Sequence, residues 1–292
     1  MKNSKKVIVR IKGGLGNQLF AYAAAKQFAV RNNAELVIDN ITGFMRDFQY
    51  KRRYSLDCFD LPVRHADYFE RLEPFEFIRR PIRRAGNAIY AFDKWSYFYD
   101  GYPAGYRDIL KSTFNGVAYL DGVWPGAKYL SNVEDILRKE LVFKENDVWH
   151  SNYFGEIIAE ESVFIHLRTY KEAPTHDSLS IQYYLNSIRL CQSVLSLPKF
   201  YVFSDDPGVA KFLLRHIPGL IFIKHDFLDD GRRDLWLMSK CKHGIIANST
   251  LSWWAAWINQ NPQKLCIAPN AGRYGVKSWT LEKSLGGIFT VI

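Results

Sequence analysis

Short apolar runs alternate with helix-like stretches along the second half of this chain, and that alternation restricts its fold more than any single residue does. Runs at 163–167, 200–203, 220–223, 244–247 and 265–268 have strand length and are almost entirely apolar. The segments between them include 181–194, 207–216, 233–241 and 251–260, which read as helices. A strand without polar alternation is buried on both faces, and β-α-β alternation builds a parallel sheet covered by helices. The amino-terminal end repeats the unit. A strand at 7–11 enters a Gly-rich turn at 12–18, a helix runs from Gln18 to about Arg31, and a strand follows at 36–38. A strand at 118–121 and a helix at 133–141 complete this half. The stretch from about 44 to 121 is rich in aromatics and Arg and has no legible period; helices that dress the first half are expected there.

The chain has 292 residues, more than one small core uses, so two domains are expected. Their boundary is expected at 145–160, giving domains 1–150 and 151–292. In paired parallel α/β sheets, ligands sit outside the carboxyl ends of the strands.

Charge narrows the ligand class. The net charge of +9 favours an anionic partner: nucleotide phosphate, nucleic acid or an acidic membrane surface. No zinc-finger or RRM pattern occurs, so nucleic acid is not expected. The densest basic run, Arg79, Arg80, Arg83 and Arg84, reads as a solvated face or as a patch for anionic lipid or polysaccharide. Cys58, Cys191, Cys241 and Cys266 are too widely spaced for a metal or disulfide pattern, which fits a reducing cytoplasm. No run of about 18 apolar residues is present, so the chain is expected to be soluble, at most peripheral to a membrane.

Four local patterns carry the chemistry. Residues 241–257 read as a strand, a polar turn and a helix. Asn248, Ser249 and Thr250 are N-cap types just before Leu251 and three tryptophans. Such a helix start binds phosphate; the competing reading is a capped core helix with the tryptophans packed inside. In the second pattern, strand 163–167 delivers His166 and Arg168 to its carboxyl end. A guanidinium fork there suits a pyrophosphate leaving group, or else a structural carboxylate pair. In the third, strand 200–203 ends in Ser204, Asp205 and Asp206, which either accept hydrogen bonds from a base or ribose or cap the helix begun by Pro207. In the fourth, Gly14, Gly16 and Asn17 form a turn close to G-x-G-x-x-G, but Leu19 replaces the third glycine. With Asp39 downstream as a ribose acid, that turn would make a dinucleotide site and an NAD-dependent oxidoreductase. No D-x-D, Walker A or H-E-x-x-H motif is present.

Taken together, the patterns resemble glycosyltransferase family 11, the α-1,2-fucosyltransferases. The resemblance rests on residues 13–23 (GGLGNQLFAYA), on His166-Leu167-Arg168, on Phe203 to Asp206, and on residues 237–254 ending in Trp253-Trp254. Residues 119–129 and Tyr183-Tyr184 also match. This resemblance implies a GT-B-like fold, with two Rossmann-like α/β domains facing a central cleft. It also implies an inverting, metal-independent transfer of L-fucose from GDP-β-L-fucose to O2 of a terminal β-galactoside in a cell-surface glycan. No cofactor is implied. Carried over by position, Arg168 neutralises the β-phosphate, Ser249 and Thr250 hold phosphates, and Asn248 and Leu251 flank them. Ser204, Asp205 and Asp206 face guanine or ribose, while Gly14, Gly16 and Asn17 approach the donor. The family reads His-x-Arg-Arg-x-Asp where this chain has Thr169 and Lys171. The acceptor base is therefore not inherited by position; Glu172 is preferred by type and nearness, with His166 and Asp177 as alternatives. A binding module built on Arg79–Arg84 is the non-enzymatic alternative.

Overall fold

The computed structural model describes residues 5–72, 76–89, 96–99, 109–144, 152–169, 178–224, 231–270 and 289–292. The chain divides into two compact units, Met1–Val142 and Phe143–Ile292.

In the first unit, β1 (Lys6–Arg10), β2 (Glu35–Asp39), β3 (Arg64–His65), β4 (Tyr97–Tyr99) and β5 (Val117–Asp121) form one sheet. Its order is β3-β2-β1-β5-β4 and every pairing is parallel. Central β1 is flanked so that Ile8 lies opposite Val37 on one side and Tyr119 on the other. Helix α1 (Leu15–Arg31) is buried over most of its length. The run Ala23-Ala24-Ala25 lets its backbone lie close to the sheet, and Phe28 stacks on Phe114 with centroids 5.3 Å apart. Helix α3 (Glu134–Glu140) closes the unit.

The illegible middle stretch contains β3, β4 and helix α2 (Glu76–Ile89). Two- and three-residue strands are too short to show a period, and Pro81 inside α2 argues against a helix at the sequence level. Structure also corrects both readings of the basic run. Arg80 pairs with Asp121 at 3.0 Å, and Arg84 lies over the Tyr99 ring at 4.7 Å. Arg79 donates to the carbonyl of Arg71. These three arginines are tied to their own unit, so they form neither a free solvated face nor an open polyanion patch; the side chain of Arg83 lies outside the described residues.

The second unit carries β6 (Ser162–Leu167), β7 (Lys199–Ser204), β8 (Ile221–Phe222), β9 (His243–Ile245), β10 (Cys266–Ala268) and β11 (Phe289–Val291). All pair in parallel, in the order β11-β10-β9-β6-β7-β8. The chain winds outward from β6 through β7 to β8, then returns to add β9, β10 and β11 on the other side. That is the doubly wound order with its switch point between β6 and β9. The helices are α4 (Phe154–Ala159), α5 (Ile181–Val194), α6 (Pro207–Leu213), α7 (Arg232–Lys240) and α8 (Thr250–Ile258). Gly244 on β9 is required by packing: a Cβ there would sit 2.2 Å from the Phe164 ring of β6. Among the described residues no helix is long and apolar enough to cross a membrane.

Candidate active site

The switch point of the second unit is where its polar residues gather. Parallel register sets His166 opposite Phe203 and Leu167 opposite Ser204, so Arg168 leaves β6 beside Asp205. The register of β6 with β9, Ile165 opposite Ile245, sets Arg168 level with Asn248 when continued. Two tyrosines of α5 anchor these strand ends from below. Tyr183 donates to the carbonyls of Ile246 (2.8 Å) and Ile267 (3.1 Å), and Tyr184 donates to that of His166 (3.2 Å). The phenols thus tie β6, β9 and β10 together at the edge where the loops begin.

Arg168 is half-buried and lies 3.4 Å from the Asp205 carboxylate. The other oxygen of that carboxylate accepts from the backbone N–H of Thr169 at 2.8 Å. Asp205 therefore holds the strand end and the guanidinium together. Asp206 caps α6, accepting from the N–H of Val209 at 3.0 Å, and the Ser204 hydroxyl accepts from the N–H of Asp206 at 3.1 Å. His166 is buried within the sheet.

Opposite, Ser249 is the N-cap of α8 and accepts from the N–H of Leu251 at 3.3 Å. Ser252 braces the turn, accepting from the N–H of Ala247 at 3.2 Å and donating to the carbonyl of Ser249 at 3.3 Å. Asn248, Ser249, Thr250 and Leu251 remain half-exposed. Trp253, Trp254 and Trp257 are buried, the Trp254 ring 5.2–5.3 Å from both others. The tryptophans are core, and they fix the polar start of α8 in place. Glu172, Lys171 and Asp177 lie outside the described residues.

Gly14, Gly16 and Asn17 belong to the first unit, at the end of β1 next to its own switch point with β5. The left-handed residue of the turn is Gly13, at φ +76°. Gly14 is the N-cap of α1 and would meet nothing within 4 Å if it carried a Cβ, so its backbone is open to close approach. Gly16 is buried in the first turn of α1, and Asn17 is half-exposed there. The buried Gln18 pins the turn, donating at 2.8 Å to the carbonyls of both Gly13 and Arg53 and accepting from the N–H of Ser55.

Asp39 overturns the dinucleotide reading. Its buried carboxylate accepts from the hydroxyls of Tyr119 and Thr42, both at 2.6 Å, and from the N–H of Thr42 at 3.0 Å. An acid so enclosed is not placed to bind a ribose, and Leu19 is core. The same edge holds a cluster that sequence reading missed. Asp121 receives Arg10 at 3.2 Å, Lys12 at 3.1 Å, Arg80 at 3.0 Å and the Tyr97 hydroxyl at 2.6 Å. The available signal was that β1, β2 and β5, otherwise largely apolar, all end on a charged residue: Arg10, Asp39 and Asp121. Among the described residues no group of three or more His, Cys, Asp or Glu is placed to hold a metal ion.

The family model for glycosyl transferase family 11 matches residues 6–273. An alpha-1,2-colitosyltransferase of Escherichia coli is 28% identical over 276 residues, covering 90% of this chain and 91% of that protein. The O-antigen biosynthesis glycosyltransferase WbnK, also of Escherichia coli, is 24% identical, covering 92% and 98%. Among solved structures, NodZ alpha-1,6-fucosyltransferase soaked with GDP-fucose matches with a TM-score of 0.56 at 16% identity, covering 87% of this chain and 92% of that one. At that identity the match establishes the fold: GT-B-like, built from two Rossmann-like α/β domains.

Proposed function

This chain belongs to glycosyl transferase family 11, and from that premise we propose that it transfers L-fucose from GDP-β-L-fucose to O2 of a terminal β-galactoside in a cell-surface glycan. The carrying observation is Arg168, standing at the doubly wound switch point of the second unit, beside Asp205 and level with the polar start of α8. Direct displacement at the fucose anomeric carbon inverts its configuration and leaves negative charge on GDP. Arg168 exchanges its Asp205 partner for the β-phosphate, and its planar fork suits two phosphate oxygens. Ser249 and Thr250 present the amino-terminal N–H groups of α8 to the same diphosphate. Together they supply the positive charge that metal-dependent transferases draw from a cation, so the reaction proceeds without one.

Ser204, Asp205 and Asp206 face the nucleoside, with Asn248 and Leu251 flanking the phosphates. In this reading residues 151–292 hold the donor and residues 1–150 serve the acceptor, while Gly14, Gly16 and Asn17 approach the sugar. Glu172 takes the proton from the acceptor hydroxyl, and His166 shapes the strand end. A second donor is favoured by one observation, the 28% identity to a colitosyltransferase. Colitose is fucose without its 3-hydroxyl, so both donors offer the same diphosphate to Arg168.

The test is GDP release from GDP-fucose and from GDP-colitose, with and without lactose, in EDTA, for wild type and Arg168→Ala. Lactose-dependent release in EDTA, falling by about 10²–10³ in the variant, is expected. Thermal unfolding of the variant, run alongside, separates lost chemistry from a lost fold. Failure of either GDP-sugar to protect the wild-type fold or to be turned over would overturn the donor assignment. Protection without turnover would reject the galactoside acceptor alone.

A further inference from the structure

Helix α2 is amphipathic in the opposite sense to an ordinary surface helix. Its arginines turn toward the unit: Arg80 reaches Asp121, Arg84 covers the Tyr99 ring, and Arg79 binds the Arg71 carbonyl. Its isoleucines turn outward. Ile78, Ile82 and Ile89 are 47%, 65% and 79% exposed. At 100° per residue these three lie within roughly 60° of arc, and Ala85, also exposed, falls between them. An ordinary soluble helix buries such a ridge. Next to it, the turn to which Arg79 is tied exposes Phe69.

We propose that α2 seats the first unit on the surface of an anionic phospholipid bilayer, its isoleucine ridge entering the acyl boundary and its arginines meeting headgroup phosphates. Charge favours this occupant. Residues 76–89 hold four arginines against one glutamate, and the whole chain carries +9. The guanidinium of Arg79 is bonded to neutral carbonyls, which leaves its charge unneutralised by those contacts. Shape favours it as well. A single convex ridge offers far less than the roughly 800 Å² per partner of a standard protein interface. Interfacial helices need only such a ridge, flanked by cations that reach the phosphates. The inference is independent of the proposed donor and acceptor, because its readout is binding and not turnover.

The experiment is co-sedimentation of the full chain with vesicles of phosphatidylglycerol and phosphatidylethanolamine, and with vesicles of phosphatidylcholine alone. Wild type is compared with Ile82→Asp and with Leu197→Asp, which changes an 89% exposed leucine of the other unit. Circular dichroism checks that each variant is folded. Wild type and Leu197→Asp are expected to pellet with anionic vesicles and not with phosphatidylcholine, and Ile82→Asp to partition about tenfold less. Wild type left in the supernatant would overturn the proposal. So would equal binding by folded Ile82→Asp, which would make the attraction purely electrostatic. If sedimentation velocity instead finds a wild-type dimer that Ile82→Asp splits, without vesicle binding, the ridge joins two copies and the bilayer assignment is wrong.

Discussion

Asp121 is one carboxylate shared by three cations and a phenol, and that arrangement makes it the residue on which the first unit most depends for local charge balance. Burial alone would raise its pKa. Lys12, Arg10, the Tyr97 hydroxyl and Arg80 outweigh burial and hold the carboxyl well below the usual range. A carboxyl depressed in the fold stabilises above its unfolded pKa, near 3.9, and that contribution fades as pH falls through the folded value. Asp121→Asn strands Arg10 in a buried position and should cost about 3 kcal/mol in urea unfolding at pH 7. The gap between variant and wild type should be constant from pH 5 to 8 and shrink as pH is taken to 3. A gap that does not change with pH down to 3 would mean that the charge itself is not what Asp121 contributes. At this scale the sequence was only partly legible. Arg168 could be singled out because an arginine ending an apolar strand needs an anion. That its anion in the unliganded chain is Asp205 could not be read, because the pairing depends on the β6–β7 register. Asp39 misled for a related reason: spacing placed it correctly for a ribose, and only Tyr119, 80 residues away, reveals its engagement inside the fold.

Elements were legible in proportion to their length and to how far their apolar residues face inward. Helix α5 runs over Ile181–Val194, the span its pattern indicates, and α1 extends only three residues earlier than expected. The strands of the second unit all lie within or beside their apolar runs, because strands buried on both faces write a continuous signal. Strands β3 and β4 are too brief to write one, and α2 writes an inverted one. The start of α8 carried two readings, phosphate site and capped core helix. Ser249 does cap, and the tryptophans are core. The cap does not remove the phosphate role, since the remaining first-turn N–H groups face the same side. Packing between elements is where sequence alone fails most clearly. Nothing in His243-Gly244-Ile245 announces that β9 touches the Phe164 ring so closely that a methyl cannot fit. Gly244→Ala should therefore destabilise by about 2–3 kcal/mol in chemical unfolding, as overpacked cores do. Adding Phe164→Leu should recover part of that loss, giving a favourable coupling energy in a double-mutant cycle. Purely additive losses would place the strain elsewhere.

At the scale of the whole molecule, two units with separate cores invite the question of which one answers to the donor. The cysteines report on this directly. Cys58 lies in the first unit; Cys191, Cys241 and Cys266 lie in the second; all four are buried. Burial pushes the thiols of Cys191 and Cys266 up to about 12 and raises that of Cys241 as well, so at neutral pH none reacts without opening of the fold. Labelling by a thiol reagent then follows the opening equilibrium of the unit that holds the cysteine. A ligand bound only to the closed form at 100 times its Kd raises the opening free energy by about 2.7 kcal/mol, which slows labelling about 100-fold. If the donor binds the second unit, saturating GDP should slow Cys191, Cys241 and Cys266 by about that factor. Cys58 should keep its rate. Mass spectrometry of quenched time points resolves the four sites. Slowing of Cys58 alone would move the donor to the first unit and reverse the assignment of Arg168. Equal slowing of all four would mean that the units open as one, and the doubly wound sheet would then lend its stability to the Gly-rich turn as well. Such coupling would make Gly14 and Asn17 part of the donor's energetic footprint, and Arg168→Ala would abolish the protection of Cys58 together with that of the other three.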